Sequence, residues 1–276
     1  MVNVRKADGT VRPFNRENVL RTCHRLRLSA SEAEEVVAEI EQKLFEGITT
    51  KRILEMIFEH GQRHRPHLAH MVDLREALSL MRPKPDFEKF VAIVLEHEGY
   101  RVATNKIVPG KCVEHEIDVI ATKGSETIYI EVKHHFQFHT FTGLDIFLQA
   151  NSTFEDLVQG YLSHSHQYNF TKPMIVLNTR ISEHARRYAA CRGIGAMGWN
   201  IPQHAGLERH IDQRLLYPVT VLRSLDAATL GRLGDNGVYT LKQLVDAEQR
   251  DLSRDANIDA GVLSDLVDKA RAILSS

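Results

Sequence analysis

The sequence has few cysteines and no long hydrophobic run. Its three cysteines are Cys23, Cys112 and Cys191. Because their number is odd and their spacing is wide, they indicate neither a disulfide framework nor a zinc site. No stretch approaches the roughly 18 apolar residues of a membrane helix, and the first residues do not resemble a signal peptide. With 43% hydrophobic and 26% charged residues, the composition is typical of a globular protein, and we expect a cytoplasmic chain without a membrane partner.

An excess of basic residues is also missing. The chain has 35 Lys and Arg against 36 Asp and Glu, a formal net charge of −1. Proteins that hold duplex nucleic acid by neutralising phosphates usually have a basic excess. Nucleic-acid binding would therefore need a local patch or several chains acting together. The sequence offers one candidate patch, made of Arg186, Arg187, Arg192, His134 and His135.

The most informative motif is a pair of apolar stretches that carry two carboxylates and a lysine. Asp118 lies in the first stretch, and Glu131 and Lys133 lie in the second. Because side chains alternate along a strand, Glu131 and Lys133 share a face and Val132 points into the core. The loop between the stretches is short and turn-like, which predicts a hairpin. We expect that hairpin to bring Asp118 beside Glu131.

This combination of charges predicts phosphodiester cleavage. Two neighbouring carboxylates repel each other unless a cation lies between them, and oxygen ligands favour Mg²⁺ or Mn²⁺. A lysine beside such an ion can position a water or stabilise charge on a phosphoryl group. The alternative to a catalytic site is a solvated ion pair on the protein surface, which would contribute little to stability. The nearly continuous apolar strands favour a catalytic site, because they indicate a sheet buried on both faces.

A helix predicted over residues 87–97 precedes these strands and carries Glu88 beside its apolar stripe. The combined motif resembles the PD-(D/E)XK nucleases, most closely their Mrr-like restriction-endonuclease branch, over about residues 86–217. Ile117 stands where the family name has proline. The residues that carry the resemblance are Phe87-Glu88, Gly99-Tyr100, His115-x-x-Asp118 and Glu131-Val132-Lys133.

The resemblance implies a set of residue roles. Glu88, Asp118 and Glu131 would bind a divalent metal, and the backbone carbonyl of Val132 would be a further ligand. Lys133 would assist the attacking water. Val132 replaces the cysteine that the Mrr-like branch often has between glutamate and lysine, but its carbonyl remains available.

The first 82 residues are predicted to form a hairpin followed by four helices. Asp8-Gly9 is a turn signal, Asn15 is expected to cap the first helix, and Ser31-x-x-Glu34 is a capping box for the second. Two prolines in residues 82–85 predict a linker that ends the segment. The predicted helices run over residues 16–26, 31–45, 50–61 and 67–81.

This segment resembles an ATP-cone, the nucleotide-sensing domain best known from ribonucleotide reductases. The resemblance depends on Val4-x-Lys6-x-x-Gly9 leading to Phe14-Asn15. It implies ATP or dATP as an effector, with phosphates held by Arg5, Lys6, Arg16 and Arg21. Two departures, Ala7 and Asn18, weaken the triphosphate contacts. The alternative is an ATP-cone fold that serves assembly and binds no nucleotide.

The remaining elements complete an α/β core and a small helical tail. A helix over 144–162, a strand over 174–178, a helix over 183–191 and a strand over 194–199 supply the order that a covered sheet needs. The tail resembles tandem helix-hairpin-helix motifs, at Leu230-x-x-Leu233-Gly234-x-x-Gly237 and more weakly at Ile258-x-x-Gly261. Such hairpins expose backbone N–H groups to phosphate, but the tail is net acidic, so protein contact is nearly as well supported as DNA binding.

We therefore predict an α/β protein with three parts. They are a mainly helical ATP-cone (1–82), a restriction-endonuclease-like core with a mixed sheet flanked by helices (83–217), and an all-α helix-hairpin-helix tail (218–276). The predicted function is a Mg²⁺-dependent or Mn²⁺-dependent endonuclease that acts on nucleic acid, DNA in the first instance, as a homodimer or larger even-numbered oligomer. One alternative is a nucleic-acid-binding or nucleotide-sensing scaffold with a vestigial nuclease fold. Another is a nucleotide sensor that regulates a partner enzyme.

Overall fold

The computed structural model describes residues 2–203 and 205–275. Its helices are α1 Arg16–Arg25, α2 Ala30–Gln42, α3 Thr50–Gly61, α4 Leu74–Leu80, α5 Glu88–His97, α6 Leu144–Leu162, α7 Glu183–Arg192, α8 Leu207–Arg214, α9 Ala227–Asp235, α10 Leu241–Asp246, α11 Gln249–Asp255 and α12 Ala260–Leu274. Its strands are β1 Asn3–Arg5, β2 Val11–Pro13, β3 Ile48–Thr49, β4 Arg101–Pro109, β5 Glu114–Lys123, β6 Glu126–Lys133, β7 Phe141–Thr142, β8 Lys172–Leu177, β9 Arg180–Ile181 and β10 Gly195–Met197. Within the described ranges, no helix is long and apolar enough to cross a membrane.

The chain folds as two compact units that differ from the three consecutive segments expected from sequence. The first unit comprises Met1–Val72, Leu222–Asp226 and Ala247–Ser276. The second comprises Asp73–Val221 and Ala227–Asp246. The expected tail, residues 218–276, is therefore divided: α9 and α10 belong to the second unit, and α11 and α12 belong to the first.

Local pairing explains this division of the tail. In the second unit the backbone N–H of Val219 donates to the carbonyl of Tyr239 (3.0 Å), and that of Leu241 donates to Tyr217 (2.8 Å). These bonds fix the start of α10 to the chain that follows α8. In the first unit α12 packs against a 3₁₀ turn at Pro66–His70. Each half of the tail thus buries its apolar face against a different part of the chain.

The first unit has a small three-stranded sheet in the order β2-β1-β3. β1 and β2 form the antiparallel hairpin expected from Asp8-Gly9, and β1 pairs with β3 in parallel. α1 begins after Asn15, whose side chain accepts a hydrogen bond from the backbone N–H of Asn18 (3.2 Å), and α3 has the predicted bounds. These expectations are confirmed.

The predicted N-cap of the second helix is wrong by two residues. Ser29, not Ser31, caps α2: its hydroxyl accepts from the backbone N–H of Glu32 (3.4 Å), and the Glu32 carboxylate accepts from the N–H of Ser29 (2.7 Å). Both serines precede a glutamate by three residues, so the pattern alone does not distinguish them. Capping by Ser29 lengthens the helix by about half a turn compared with capping by Ser31. It also leaves Glu34 available to pair with Arg16.

The predicted fourth helix, residues 67–81, is interrupted. Pro66–His70 is a 3₁₀ turn, Met71 is extended and forms a β-bridge with Leu222, and α4 begins only at Leu74. Asp73 caps α4, because its carboxylate accepts from the backbone N–H of Arg75 (3.1 Å). An Asp directly before an apolar run is a cap signal that the helical spacing of the flanking residues obscured.

The second unit contains a five-stranded mixed sheet in the order β10-β8-β6-β5-β4. The pairs β4–β5 and β5–β6 are antiparallel, and the pairs β6–β8 and β8–β10 are parallel. α5 packs on β4 and β5, and α6 packs on β8, β4 and α7. This is the mixed α/β core expected from sequence, and the predicted hairpin is the pair β5–β6.

Both faces of the central strand β6 are buried. Tyr129 belongs to an apolar cluster that includes Phe147 of α6 and Ile175 of β8. Its neighbours Ile128 and Ile130 point to the opposite face and are also buried, at 1% and 0% exposure. Since alternate residues of a strand face opposite ways, the continuous apolar pattern reflects a sheet covered on both sides, as predicted.

Residues 82–87, expected to be a linker, are instead a fixed part of the second unit. The Arg82 guanidinium makes two hydrogen bonds of 2.8 Å to the Asp86 carboxylate and one of 2.9 Å to Asp235. Asp86 is 1% exposed and Phe87 is fully buried. The two prolines stop the preceding helix as expected, but the charged residues beside them bind the segment to the core.

The Arg82–Asp86 pair packs against α9 at a position where only glycine fits. A methyl group added to Gly234 would lie 2.5 Å from the Arg82 Nη2 atom and 2.8 Å from each Asp86 carboxylate oxygen, whereas at Gly231 the nearest atom would be 3.8 Å away. Alanine is normally favoured over glycine in a helix by about 1 kcal/mol. We predict that Gly231→Ala stabilises the protein, and that Gly234→Ala destabilises it by displacing the Arg82–Asp86 pair, as measured by urea unfolding. Equal effects of the two substitutions would contradict this packing.

The loop between β4 and β5 is held by the Asp156 side chain of α6. The Asp156 carboxylate on α6 accepts hydrogen bonds from the backbone N–H groups of Cys112 (2.9 Å) and Val113 (3.3 Å) and contacts His115 Nε2 at 2.8 Å. Burial alone would raise the pKa of Asp156, but the bonds from His115 and Cys112 outweigh burial and lower that pKa to about 2.

We predict that Asp156→Asn lowers the free energy of unfolding by about 2 kcal/mol at neutral pH, because bonds to a charged acceptor are lost. A carboxyl with a depressed pKa stabilises the fold above its unfolded pKa of about 3.9, and this contribution disappears as pH falls towards the folded value of about 2. The difference between parent and variant in urea unfolding should therefore shrink between pH 6 and pH 3. A difference independent of pH would refute the assigned network.

Candidate active site

The ammonium group of Lys84 lies among three carboxylates. Its Nζ atom is 3.1 Å from Glu88 Oε1, 3.2 Å from Asp118 Oδ1 and 3.3 Å from Glu116 Oε1. The side chains of Glu88 and Asp118 are 2% and 6% exposed, whereas that of Glu116 is 61% exposed. Two of the three carboxylates are therefore almost withdrawn from water and face one cation.

Three elements hold these groups in place. Glu88 is the first residue of α5, which packs on β5, and Asp118 lies within β5. The backbone N–H of Val132 in β6 donates to Asp118 Oδ2 at 2.8 Å. One oxygen of Asp118 is thus bound to the neighbouring strand, and the other faces Lys84.

Burial and neighbouring charge act together on Glu88 and Lys84. Burial, together with the negative charge of Asp118, raises the pKa of Glu88 to about 7. For Lys84, burial acts to lower the pKa of the ammonium, but the charges of Asp118 and Glu88 outweigh it and raise that pKa above its ordinary value. The shift of Glu88 reflects the cost of burying a second carboxylate beside Asp118, and the shift of Lys84 reflects the attraction of both carboxylates for its ammonium.

Glu131 and Lys133 form a second group on β6. Lys133 Nζ lies 2.7 Å from Glu131 Oε1, and the hydroxyl of Tyr129 donates to Glu131 Oε2 at 3.0 Å. Residues 129, 131 and 133 share one face of the strand, and Val132 is buried on the other, as expected. Burial, reinforced by the charge of Glu131, raises the pKa of Tyr129, so its hydroxyl remains a donor.

The donor set fits a hard divalent cation in part. Glu88 Oε2 is buried and, among the described residues, has no hydrogen-bond partner. Carboxylate oxygens of this kind suit Mg²⁺ or Mn²⁺ as ligands. Within residues 2–203 and 205–275, no three acidic, histidine or cysteine side chains are arranged so that they could together hold a metal ion. The structure brings Glu88 and Asp118 to one cation, while the contacts of Glu131 are with Lys133 and Tyr129.

The chain that leaves β6 is fastened by polar contacts. His135 and Asn178 bond reciprocally through backbone and side chain (2.9 and 2.8 Å), and His134 Nε2 lies 3.0 Å from the carbonyl of Leu78. Burial lowers the pKa of both histidines. These residues hold the backbone just beyond Lys133.

The expected basic patch carries less free charge than its residues suggest. Arg192 pairs with Glu155 and also donates to Asn151, and Arg186 lies 3.6 Å from Glu183. Neighbouring carboxylates thus neutralise two of its three arginines.

The four basic residues expected to hold nucleotide phosphates lie on two elements of the first unit. Arg5 ends β1 and Lys6 follows it in the turn, and both are exposed. Arg16 and Arg21 lie on α1. Arg16 already pairs with Glu34 and with Glu41. A phosphate at Arg16 would have to compete with these carboxylates.

Sequence reasoning missed Lys84 and Glu116. Lys84 lies between two prolines in a stretch that composition alone assigns to a linker. Its position four residues before Glu88 was the one available signal, although Lys84 itself lies before the helix and has an extended backbone (φ −124°, ψ 136°). Glu116 stands two residues before Asp118 on the same strand, and this alternation could have identified it.

Comparison with known proteins shows the family of this chain. Residues 81–197 match the protein family described as restriction endonuclease. An uncharacterised protein from Archaeoglobus fulgidus is 34% identical over 184 residues, which cover 67% of this chain and 99% of that protein. This chain belongs to the family of that archaeal protein. It contains a restriction-endonuclease-like domain over residues 81–197.

A solved structure supports the same fold. The crystal structure of a protein of unknown function is 34% identical, with a TM-score of 0.60, and the match covers 68% of this chain and 96% of the other. The transcriptional repressor NrdR of a Synechococcus strain is 40% identical over 70 residues, but this match covers only 22% of the chain and 35% of that repressor. The restriction-endonuclease-like core thus has a solved counterpart, and the second match is short.

Proposed function

We propose that this family member is a divalent-metal-dependent endonuclease that cleaves phosphodiester bonds of nucleic acid, with DNA as the first candidate substrate. The observation that carries the proposal is the pair Glu88 and Asp118, buried and aimed at one cation. Its setting is a restriction-endonuclease-like domain, next to the Glu131–Lys133 pair. Burying two carboxylates side by side costs stability even where a cation compensates part of the charge, and a catalytic role would account for that cost.

In the proposed site each residue has a distinct role. Asp118, Glu131, the Val132 carbonyl and Glu88 would hold Mg²⁺ or Mn²⁺, which when bound would stabilise the charge that develops on the phosphate. Lys133 would position the attacking water, and its contact with Glu131 keeps the ammonium beside the acidic group. Tyr129 would orient Glu131 through its hydroxyl.

The proposal predicts that Asp118→Asn, Glu131→Gln and Lys133→Ala each reduce cleavage by at least about 100-fold, the effect expected for loss of a ligand or a proton-transfer group. Asp118→Asn is preferred to alanine because Asp118 accepts the Val132 N–H bond. Purified protein with Mg²⁺ or Mn²⁺ is incubated with single-stranded, duplex and branched DNA and with RNA.

Lys172→Ala is the matched control for Lys133→Ala. Lys172 pairs with Glu126 at 2.7 Å, at the opposite end of the β6–β8 ladder. The Lys172→Ala substitution therefore removes the same kind of ion pair at a place away from the site. Control and parent should cleave equally. Undiminished cleavage by the Asp118 variant would show that the site is assigned wrongly, and no cleavage by the parent on any substrate would favour a binding scaffold with a vestigial nuclease fold.

We further propose that the first 82 residues bind an adenine nucleotide, ATP or dATP, which regulates the enzyme. Support comes from the resemblance of this segment to an ATP-cone and from the exposed Arg5 and Lys6. In the same proposal the working enzyme is a homodimer or larger even-numbered oligomer. One core has one active site, and closed two-fold symmetry places two sites on antiparallel strands.

Lys6→Ala should weaken nucleotide binding, because a cation that contacts phosphate is removed, while Lys51→Ala on the exposed side of α3 should leave it unchanged. Calorimetry with ATP and dATP measures both. If neither nucleotide produced a response at millimolar concentration, this part of the chain would serve assembly instead.

A further inference from the structure

We infer that Lys84 is a built-in counter-ion that occupies the cation position between Glu88 and Asp118 and leaves it when a divalent metal binds. Lys84 would thereby set the metal affinity of the site. Because it presupposes a divalent metal, this role rests on the proposed nuclease function. It assigns a positioning task to a residue outside the Glu88, Asp118, Glu131 and Lys133 quartet.

The contacts of Lys84 are those of a cation in a ligand set. Its ammonium touches Glu88, Asp118 and Glu116 at 3.1, 3.2 and 3.3 Å. The two buried carboxylates face this single group, and Glu88 Oε2 has no hydrogen-bond partner within the described ranges. A divalent cation that used both carboxylates would therefore meet the Lys84 ammonium in the same place.

The carboxylates are fixed, whereas the ammonium can leave. The side chains of Glu88 and Asp118 are 2% and 6% exposed, and that of Lys84 is 59% exposed. Asp118 is also bound to the Val132 N–H. The four-carbon stem of lysine is flexible and its head is strongly hydrated, so the Lys84 side chain can turn outward into water without opening the core.

The backbone that carries Lys84 is held close to the site. Arg82 and Asp86 are joined by two hydrogen bonds of 2.8 Å, and the N–H of Phe87 donates to the carbonyl of Arg82 at 3.0 Å. Lys84 is thus presented from an anchored turn and does not approach by chance from a mobile chain. In the absence of metal, its single positive charge reduces the repulsion between the two carboxylates.

Competition follows from this arrangement. An ammonium that must be displaced reduces the apparent affinity of the metal by the fraction of time it holds the site. Removing its charge while keeping the stem, as in Lys84→Met, should tighten Mn²⁺ binding by about tenfold, provided that Lys84 holds the site for about nine-tenths of the time. The same variant should have a lower Tm without metal, and added Mn²⁺ should restore that Tm.

Lys89→Met is the matched control. Lys89 lies on α5 one residue after Glu88, but its ammonium donates to the Thr104 hydroxyl at 2.6 Å, so the variant removes an equal charge nearby without touching the site. Lys84→Arg keeps the charge and should bind Mn²⁺ no more tightly than the parent. The amount of bound Mn²⁺ is measured by electron paramagnetic resonance titration of the full chain.

The outcomes separate this role from the nuclease function. Tighter Mn²⁺ binding by Lys84→Met, with Lys89→Met like the parent, supports it. If the parent cleaves DNA and binds Mn²⁺ while Lys84→Met binds it equally or more weakly, the counter-ion role is overturned and the nuclease stands. If Lys84→Met does not fold, Lys84→Gln replaces it with the same expectation. Absence of Mn²⁺ binding in parent and variants at millimolar concentration overturns both.

Discussion

The structure depends on two carboxylates buried against each other. Glu88 and Asp118 are 1% and 4% exposed, and a buried charge costs several kcal/mol unless it is paired and hydrogen-bonded. Their surroundings supply that compensation through the Lys84 ammonium and the Val132 N–H. The Arg82–Asp86 pair fixes the turn that brings Lys84 in. The turn over residues 82–87 and the pairing of β5 with β6 thus both serve this pair of acids.

The sheet explains why this pair is possible. β5 and β6 are antiparallel neighbours, and their register, Val119 opposite Ile130 and Ile120 opposite Tyr129, leads on to Asp118 opposite Glu131. The Asp118 carboxylate also accepts from the backbone N–H of Val132. α5 lies on β5 and brings its first residue, Glu88, to the same place. Neutral net charge fits a protein whose cations are used inside the site and in local ion pairs.

The sequence predicted the elements with periodic patterns well. The β5–β6 hairpin, α3 and α6 appear at or near their expected bounds, because apolar alternation and helical spacing report burial directly. The wrong predictions, at the start of α2 and in the fourth helix, arose where two local sequence signals competed. Ser29 and Ser31 both match a capping box, and Asp73 ends an otherwise helical pattern.

The role of Lys84 in the site was not predicted from the sequence for a different reason. Two prolines indicate only that a helix cannot continue, and they say nothing of tertiary contacts. The pairing of Lys84 with Asp118 spans 34 residues and is decided by the sheet, not by local spacing. The quartet Glu88, Asp118, Glu131 and Lys133 was accessible through family resemblance, but its division into two groups, one around Lys84 and one around Tyr129, required the structure.

The most direct test of the central claim, that Glu88 and Asp118 form a divalent-metal site, is anomalous X-ray diffraction from crystals of the protein soaked in millimolar Mn²⁺. The account predicts an anomalous peak between the two carboxylates, with the Lys84 ammonium displaced from its contacts at 3.1 and 3.2 Å. Crystals with no peak there and Lys84 still bound between the acids would contradict it.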